Sequence, residues 1–390
     1  MDDTFPLATT TWDDAEIAAM QRVIDSGYFT MGKEVAAFER EFAAWNGSRH
    51  AVMVNSGSSA NLLMVAALFF REHDPLRPGD EVLVPAVSWS TTYAPLSQYG
   101  LKIRLVDIDV ETLNFDLDAL SAAIGDRTRL IFAVNLLGNP NDFTRINSLI
   151  GDRDITVIED NCESMGAVIS GRKTGSIGVM GSFSCFFSHH ISTMEGGLIL
   201  TDDEDLYHIL LSLRAHGWTR NLPDVTRIAG RKHEDPFFEA FRFVLPGYNV
   251  RPLELSGAIG REQLAKLDGL VAGRRRNAAV FQQVMKDHEL IGIQCEIGES
   301  SWFGFSMVIK PGVDYDRATL RRELDKLGFE YRPIVAGNFA DQKMLDYMDV
   351  EPFGSLPNAS WIQLHGLFIG NHHYDVSDRL APLAGLGKRG

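Results

Sequence analysis

Three short stretches of the chain set polar and titratable side chains where a β-branched run gives way to a turn or helix. The first, Ser56-Gly57-Ser58-Ser59-Ala60-Asn61, follows such a run at 51–54 and precedes a helical pattern at 62–68. A glycine and hydroxyls at a strand-to-helix turn present backbone N–H groups and a helix N-terminus to a phosphate. An ordinary serine-rich N-cap accounts for the same residues without any ligand. The second, Val157-Ile158-Glu159-Asp160-Asn161-Cys162-Glu163-Ser164, delivers two acids to the C-terminal end of a strand, the edge at which open α/β sheets bind ligands. An aspartate there can keep the pyridine nitrogen of a cofactor protonated, or cap the next helix. The third is Phe183-Ser184-Cys185-Phe186-Phe187-Ser188-His189-His190-Ile191-Ser192-Thr193-Met194-Glu195-Gly196-Gly197. An imidazole titrates near 6.5 and moves protons readily at neutral pH. Paired histidines also invite a metal, but neighbours in sequence face different ways and no third ligand lies at helical or hairpin spacing. Packing therefore accounts for His190, and no metal is expected.

The elements that must position these residues alternate along the chain. Short β-branched runs at 51–54, 81–84, 103–106, 130–134, 156–158 and 198–200 are separated by helical patterns, which predicts a mostly parallel mixed sheet flanked by helices. Leu117, Leu120 and Ile124 mark one amphipathic helix stopped by Gly125; Ile17, Met20 and Ile24 mark another closed by Gly27. Beyond Leu253 the patterns lengthen into helices around a single clear strand at 302–309, followed by Leu320, Leu324, Leu327 and a Gly328 stop. The expected organisation is an N-terminal arm and helix over 1–30, a large domain over 31–252 and a smaller α+β domain over 253–390. Residues 223–236, polar and mixed in charge, predict a long surface loop.

Composition narrows the function classes. The chain has 390 residues, 45% hydrophobic, with net charge −15 and no block of lysines or arginines, so no nucleic-acid footprint is present. An anionic ligand must be met by local donors. Cys162, Cys185 and Cys295 are widely spaced and fit neither a disulfide framework nor a zinc or iron–sulfur site. No signal-peptide pattern and no apolar run near the ~20 residues of a membrane span are found, so a cytoplasmic location with no membrane partner is expected.

Taken in order, the Ser-Gly-Ser turn, the strand-end Asp160 and the Ser-Phe-rich strand running into Glu-Gly-Gly resemble the DegT/DnrJ/EryC1/StrS sugar aminotransferase family. Phe38-Glu39, Phe42-Ala43, Pro85 to Tyr93, His216-Gly217 and Gly247-Tyr248-Asn249-Val250-Arg251-Pro252 extend the resemblance over most of the chain. It implies a fold-type I, aspartate aminotransferase-like enzyme of pyridoxal 5'-phosphate (PLP) and its amine form, pyridoxamine 5'-phosphate (PMP). It further implies that Gly57, Ser58 and Ser184 hold the cofactor phosphate, that Trp89 stacks on the ring and that Asp160 pairs with the ring nitrogen. Glu163 would sit near O3′, and Asn249 would reach the phosphate from a second subunit of a homodimer. Arg220 and Arg251 are candidates for substrate anions, because a guanidinium fork matches phosphate or carboxylate; both suit structural ion pairs equally well.

One position departs from the family. Six residues before Glu195, where the resemblance implies the lysine that binds PLP covalently, stands His189, and no lysine occurs between Lys173 and Lys232. A histidine forms no stable Schiff base, so the cofactor would be held noncovalently and His189 would move protons. Within the family this exchange implies a lyase, a 3-dehydratase of a nucleotide-linked 4-keto-6-deoxy sugar, a GDP-mannose derivative first among the expected substrates, with L-glutamate as amino donor. The competing expectations are a nucleotide-sugar 4-aminotransferase that tolerates histidine, and a non-catalytic dimer with a relic pocket.

Overall fold

The computed structural model describes residues 4–388. Each β-branched run of the sequence lies in a strand of one eight-stranded sheet: β1 (His50–Val54), β2 (Glu81–Pro85), β3 (Lys102–Val106), β4 (Thr128–Val134), β5 (Thr156–Asp160) and β7 (Gly197–Thr201), with β6 (Met180–Ser184) before the last. The order is β1-β7-β6-β5-β4-β2-β3, with one further strand, Val350–Pro352, beside β3. All neighbours pair in parallel except β7, which is antiparallel to both β1 and β6.

Side chains alternate across a strand, and the two faces find different partners. Val52, Val54, Val82, Val84, Phe132 and Ile158 pack with the helix Gly57–Phe70 and with Leu206, Ile209 and Leu210 of the helix Glu204–Arg214. On the other face, Met53, Phe183, Leu198 and Leu200 meet Phe38 and Phe42 of the helix Lys33–Asn46 and Leu267 of the helix Glu254–Met285. Leu83, Val106, Ile131 and Ala133 meet Leu120, Phe143 and Ile146. A sheet covered on both sides buries its strands completely, which is why residues 82–84 of β2 and 130–134 of β4 read as continuous apolar runs rather than alternations.

The C-terminal part departs from the sequence expectation in two ways. Where one strand is expected, a second sheet of four forms, in the order Ile291–Ile293, Gly304–Ile309, Gly366–Gly370, Tyr331–Arg332. Its core of Phe305, Met307, Ile309, Leu320, Leu324 and Ile369 takes in Phe281 and Met285 from the long helix and Phe5 from the N-terminal arm. Residues 350–352 cross back to the large sheet, so the two sheets are tied by more than the long helix. The expected loop at 223–236 carries a small antiparallel ladder, Val225–Thr226 against Gly230–Arg231. No helix among the described residues is long and apolar enough to cross a membrane.

Candidate active site

The C-terminal ends of β4, β5 and β6 lie side by side, with Val134 opposite Asp160 and Asp160 opposite Ser182 in register. Successive residues of a strand point to opposite faces, so the two acids closing β5 separate. Glu159 turns into the fold and accepts the N–H groups of Gly175 (2.7 Å), Ile177 (2.6 Å) and Gly178 (2.8 Å). Burial raises its pKa, which these donors partly offset, and its role is to anchor the 175–178 loop. Asp160 turns the other way. Its Oδ2 accepts Nδ2 of Asn61 and Oγ1 of Thr92, each at 2.8 Å, and its Oδ1 accepts the N–H of Cys162 at 3.2 Å. Ser182 Oγ donates to the Asn61 carbonyl oxygen at 2.6 Å, which fixes the amide with its NH2 toward the carboxylate.

The serine turn is built against the same cluster. Ser56 caps the helix Gly57–Phe70 by accepting the N–H of Ser59 (3.1 Å). A Cβ placed on Gly57 would stand 2.8 Å from Ser184 Cβ and 2.9 Å from Cys162 Sγ, so only glycine lets this helix start approach the end of β6. Ser58 shares a hydrogen bond of 2.9 Å with Thr91, tying the turn to the segment that begins at Trp89. Trp89 precedes the helix Ser90–Gln98 and leaves its indole 58% exposed, an unusual state for so large an apolar ring.

Glu163 lies one turn beyond Asp160. Its Oε2 accepts the N–H of Leu137 at 3.0 Å; burial, with the Asp160 charge adding, pushes it up to about 7. His189 stands on a loop closed at its base, where Cys185 N–H donates to Gly196 and Thr193 N–H to Cys185, both at 2.9 Å. Its ring centroid lies 5.2 Å from that of Phe303 and 6.0 Å from that of Phe186, and its Nδ1 is enclosed without a hydrogen-bond partner. Burial, and then the positive charge of Arg274, push its pKa down to about 4. The imidazole is therefore neutral at pH 7, and its Nδ1 is unpartnered. His190 is fully buried, with Nε2 at 3.1 Å from the Ser301 carbonyl. Among the described residues no cluster of His, Cys, Asp or Glu could hold a metal ion.

Three of the sequence candidates gather around Trp218, on a segment tied to the start of the serine turn by the Asn55 N–H, which donates to the Val250 carbonyl at 3.0 Å. Arg220 and Arg251 both lie over the ring of Trp218, at 4.3 and 5.2 Å, and Arg251 Nε donates to the Asn249 side-chain oxygen at 3.0 Å. Neither guanidinium is ion-paired among the described residues, and no hydrogen bond joins this cluster to Asp160 or His189 within the chain.

Asn61 and Thr92 hold Asp160 and Ser182 orients Asn61, and none of the three is assigned a role of its own by sequence. One signal was present, since Asn61 lies four residues after Gly57 and so on the same helix face. Phe303 and Arg274 reach the site from beyond residue 252 and left none. The assembled groups suit a phosphorylated aromatic cofactor held without a covalent bond. There is a glycine-opened helix start for an anion, an oriented carboxylate at the sheet edge, an exposed indole, and an unpartnered imidazole nitrogen in a stretch without lysine.

The family model described as the DegT/DnrJ/EryC1/StrS aminotransferase family matches residues 10–376. A GDP-4-keto-6-deoxy-D-mannose 3-dehydratase of Yersinia pseudotuberculosis is 56% identical over 386 residues, covering 99% of this chain and 98% of that protein. Among solved structures, an E. coli GDP-4-keto-6-deoxy-D-mannose-3-dehydratase with bound hydrated PLP superposes with a TM-score of 0.97 at 54% identity, covering 98% of this chain and 99% of the other. A GDP-4-keto-6-deoxymannose-3-dehydratase with a trapped PLP-glutamate geminal diamine gives the same TM-score and identity, covering 98% and 100%.

Proposed function

This chain belongs to the DegT/DnrJ/EryC1/StrS aminotransferase family, and on that premise we propose that it deoxygenates its sugar rather than aminating it. It is a PLP-dependent sugar 3-dehydratase, a lyase with a half-transamination step. The reaction removes the C3 hydroxyl of a nucleotide-linked 4-keto-6-deoxy sugar, GDP-4-keto-6-deoxy-D-mannose, and leaves the 4-keto-3,6-dideoxy sugar. L-glutamate restores PMP after each turnover. The observation that carries this reading is His189, a neutral imidazole with a free nitrogen, at the position where the family holds its lysine.

When bound, PMP supplies a primary amine for the C4 ketone and a pyridine ring that takes up the electrons released on deprotonation. His189 removes the proton from C4′ of the cofactor and returns it to the departing C3 hydroxyl. Asp160, held by Asn61, Thr92 and Cys162, would pair with the ring nitrogen and favour its protonated form. Gly57, Ser58 and Ser184 would hold the phosphate through N–H and hydroxyl groups, Trp89 would stack on the ring, and Glu163 would sit near O3′. Asn249 completes the phosphate site of the other subunit in a cytoplasmic homodimer, with Arg220 and Arg251 toward the substrate's anionic groups. With no lysine over residues 174–231 to release an amino sugar, water restores the C4 ketone and the nitrogen leaves as ammonia.

Incubation with GDP-4-keto-6-deoxy-D-mannose, PLP and L-glutamate, followed by mass spectrometry, separates this reading from transamination. A keto-sugar one oxygen lighter than the substrate is expected. A stable 4-amino sugar would reject the dehydratase reading, and faster turnover of dTDP- or CDP-linked substrates would reassign the nucleotide.

A further inference from the structure

His190 touches neither the Asp160 cluster nor the Trp218 cluster, yet it is the more deeply enclosed of the two adjacent histidines, with no exposed surface at all. Only a protonated ring nitrogen can donate to a carbonyl, so its contact with Ser301 places the hydrogen on Nε2 and leaves Nδ1 bare and without a partner. Ser301 belongs to a short segment, 301–303, that leads into the strand Gly304–Ile309 of the second sheet.

That segment is a rigid abutment. Ser301 N–H donates to the Gly138 carbonyl at 2.9 Å, and Phe303 N–H to the Leu137 carbonyl at 3.1 Å. A buried Arg274 donates to the carbonyls of Phe303 (3.0 Å) and Asn371 (2.7 Å). Contact with the 137–138 corner is backbone against backbone: Leu137 has φ 52°, Trp302 has φ 50°, and a Cβ on Gly138 would lie 2.3 Å from the Trp302 nitrogen. The histidine loop is fastened on its far side as well. Ser192 N–H donates to Gln263 (3.1 Å), and the Trp12 indole N–H donates to the Ser192 carbonyl (3.0 Å). Between Phe186 and Ser192, the bond from His190 to Ser301 is the one that joins this loop to the abutment, and the Phe303 ring lies against both imidazoles, at 5.2 and 5.9 Å.

We propose that His190 is a positioning residue: its bond to the Ser301 carbonyl clamps the loop against Phe303 and thereby fixes where the His189 imidazole stands. This rests on the reading of His189 as the proton carrier. A base displaced by about 1 Å can lose on the order of 10²-fold in rate while binding is unchanged, so the signature is kinetic.

The test uses the holoenzyme with His190→Leu, which keeps the bulk and loses the donor, and His190→Gln, whose amide N–H reaches about as far as Nε2. Two rates are read: single-turnover conversion of PLP to PMP by L-glutamate, followed by cofactor absorbance, and kcat for the GDP-sugar. His190→Leu is expected to slow both by roughly 10–100-fold, with KM and the PLP Kd within about threefold of wild type, and His190→Gln to recover most of the loss. Rates within about twofold of wild type in His190→Leu would overturn the proposal. So would KM and Kd rising in step with the rate loss and no recovery by glutamine, the pattern of a merely structural residue. Should His190→Leu not fold, Phe303→Leu removes the wall from the other side and is expected to show the same loss confined to rate; unchanged rates there would equally overturn it. Wild-type product is analysed in parallel. Absence of the dideoxy sugar would sink the dehydratase reading, while the glutamate half-reaction, which needs no sugar, still judges His190.

Discussion

Burial and the Arg274 guanidinium hold the His189 imidazole at a pKa of about 4, against an ordinary value near 6.5. Between those values the unfolded chain binds a proton that the folded chain does not, so cofactor-free protein loses stability as pH falls through this window. At about pH 5 the loss is on the order of 2 kcal/mol. Glu163 works in the opposite direction, since its folded pKa of about 7 lies above the ordinary carboxyl value and its contribution to stability fades as pH rises. That contribution is shared by wild type and by His189→Asn and cancels in their comparison. The variant's urea midpoint is expected to fall less than the wild-type midpoint between about pH 7.5 and pH 5; equal falls would mean that the ring titrates as if in water. His189, Asp160 and Gly57 could be picked out from sequence because their types are chemically conspicuous where they occur. Asn61 and Thr92 could not, because they act through Asp160 and their types equally suit a turn or a cap.

At the scale of elements, the serine turn works only if the helix Gly57–Phe70 can begin in contact with the end of β6. Alanine at 57 would press its Cβ onto Ser184 and Cys162, and with the Ser184 Cα at 3.2 Å the backbone itself would have to move. Alanine is also the better helix former, by up to about 1 kcal/mol, so Gly57→Ala is expected to leave the unfolding midpoint nearly unchanged. The PLP Kd should rise by roughly tenfold or more, about 1.4 kcal/mol, as measured by absorbance titration. An unaltered Kd would show that the phosphate sits elsewhere. Strands β1 to β5 and β7 of the large sheet were readable because each carries a short β-branched or apolar run fixed by burial on both faces. Tyr331–Arg332 and Ile291–Ile293 are too short to show any period, and Val350–Pro352 carries a glutamate and a proline at a sheet edge, so local pattern gave them no strand signature.

At the scale of the whole molecule, no hydrogen bond or ion pair within the chain joins Arg220, Arg251 or Asn249 of the Trp218 cluster to Asp160 or His189. Around the Trp218 cluster the surface is strongly apolar: Phe237, Phe238, Phe241 and Phe243 are 80%, 64%, 69% and 56% exposed. Four such rings in one short stretch are far more than a free surface ordinarily shows. A homodimer in which each subunit lends Asn249, Arg220 and Arg251 to the other's cofactor site would account for both facts, and it can be tested by complementation between two variants. Asn249→Ala and His189→Asn should each make inactive or nearly inactive dimers. When the two variants are unfolded together, or expressed together, about half of the dimers pair one of each, and in these one site recovers a native Asn249 facing a native His189. Activity should then return to roughly a quarter of the wild-type value, and should do so only where subunits have exchanged. If both residues served the same subunit's site, every dimer, mixed or not, would carry one lesion at each site, and co-assembly would restore nothing.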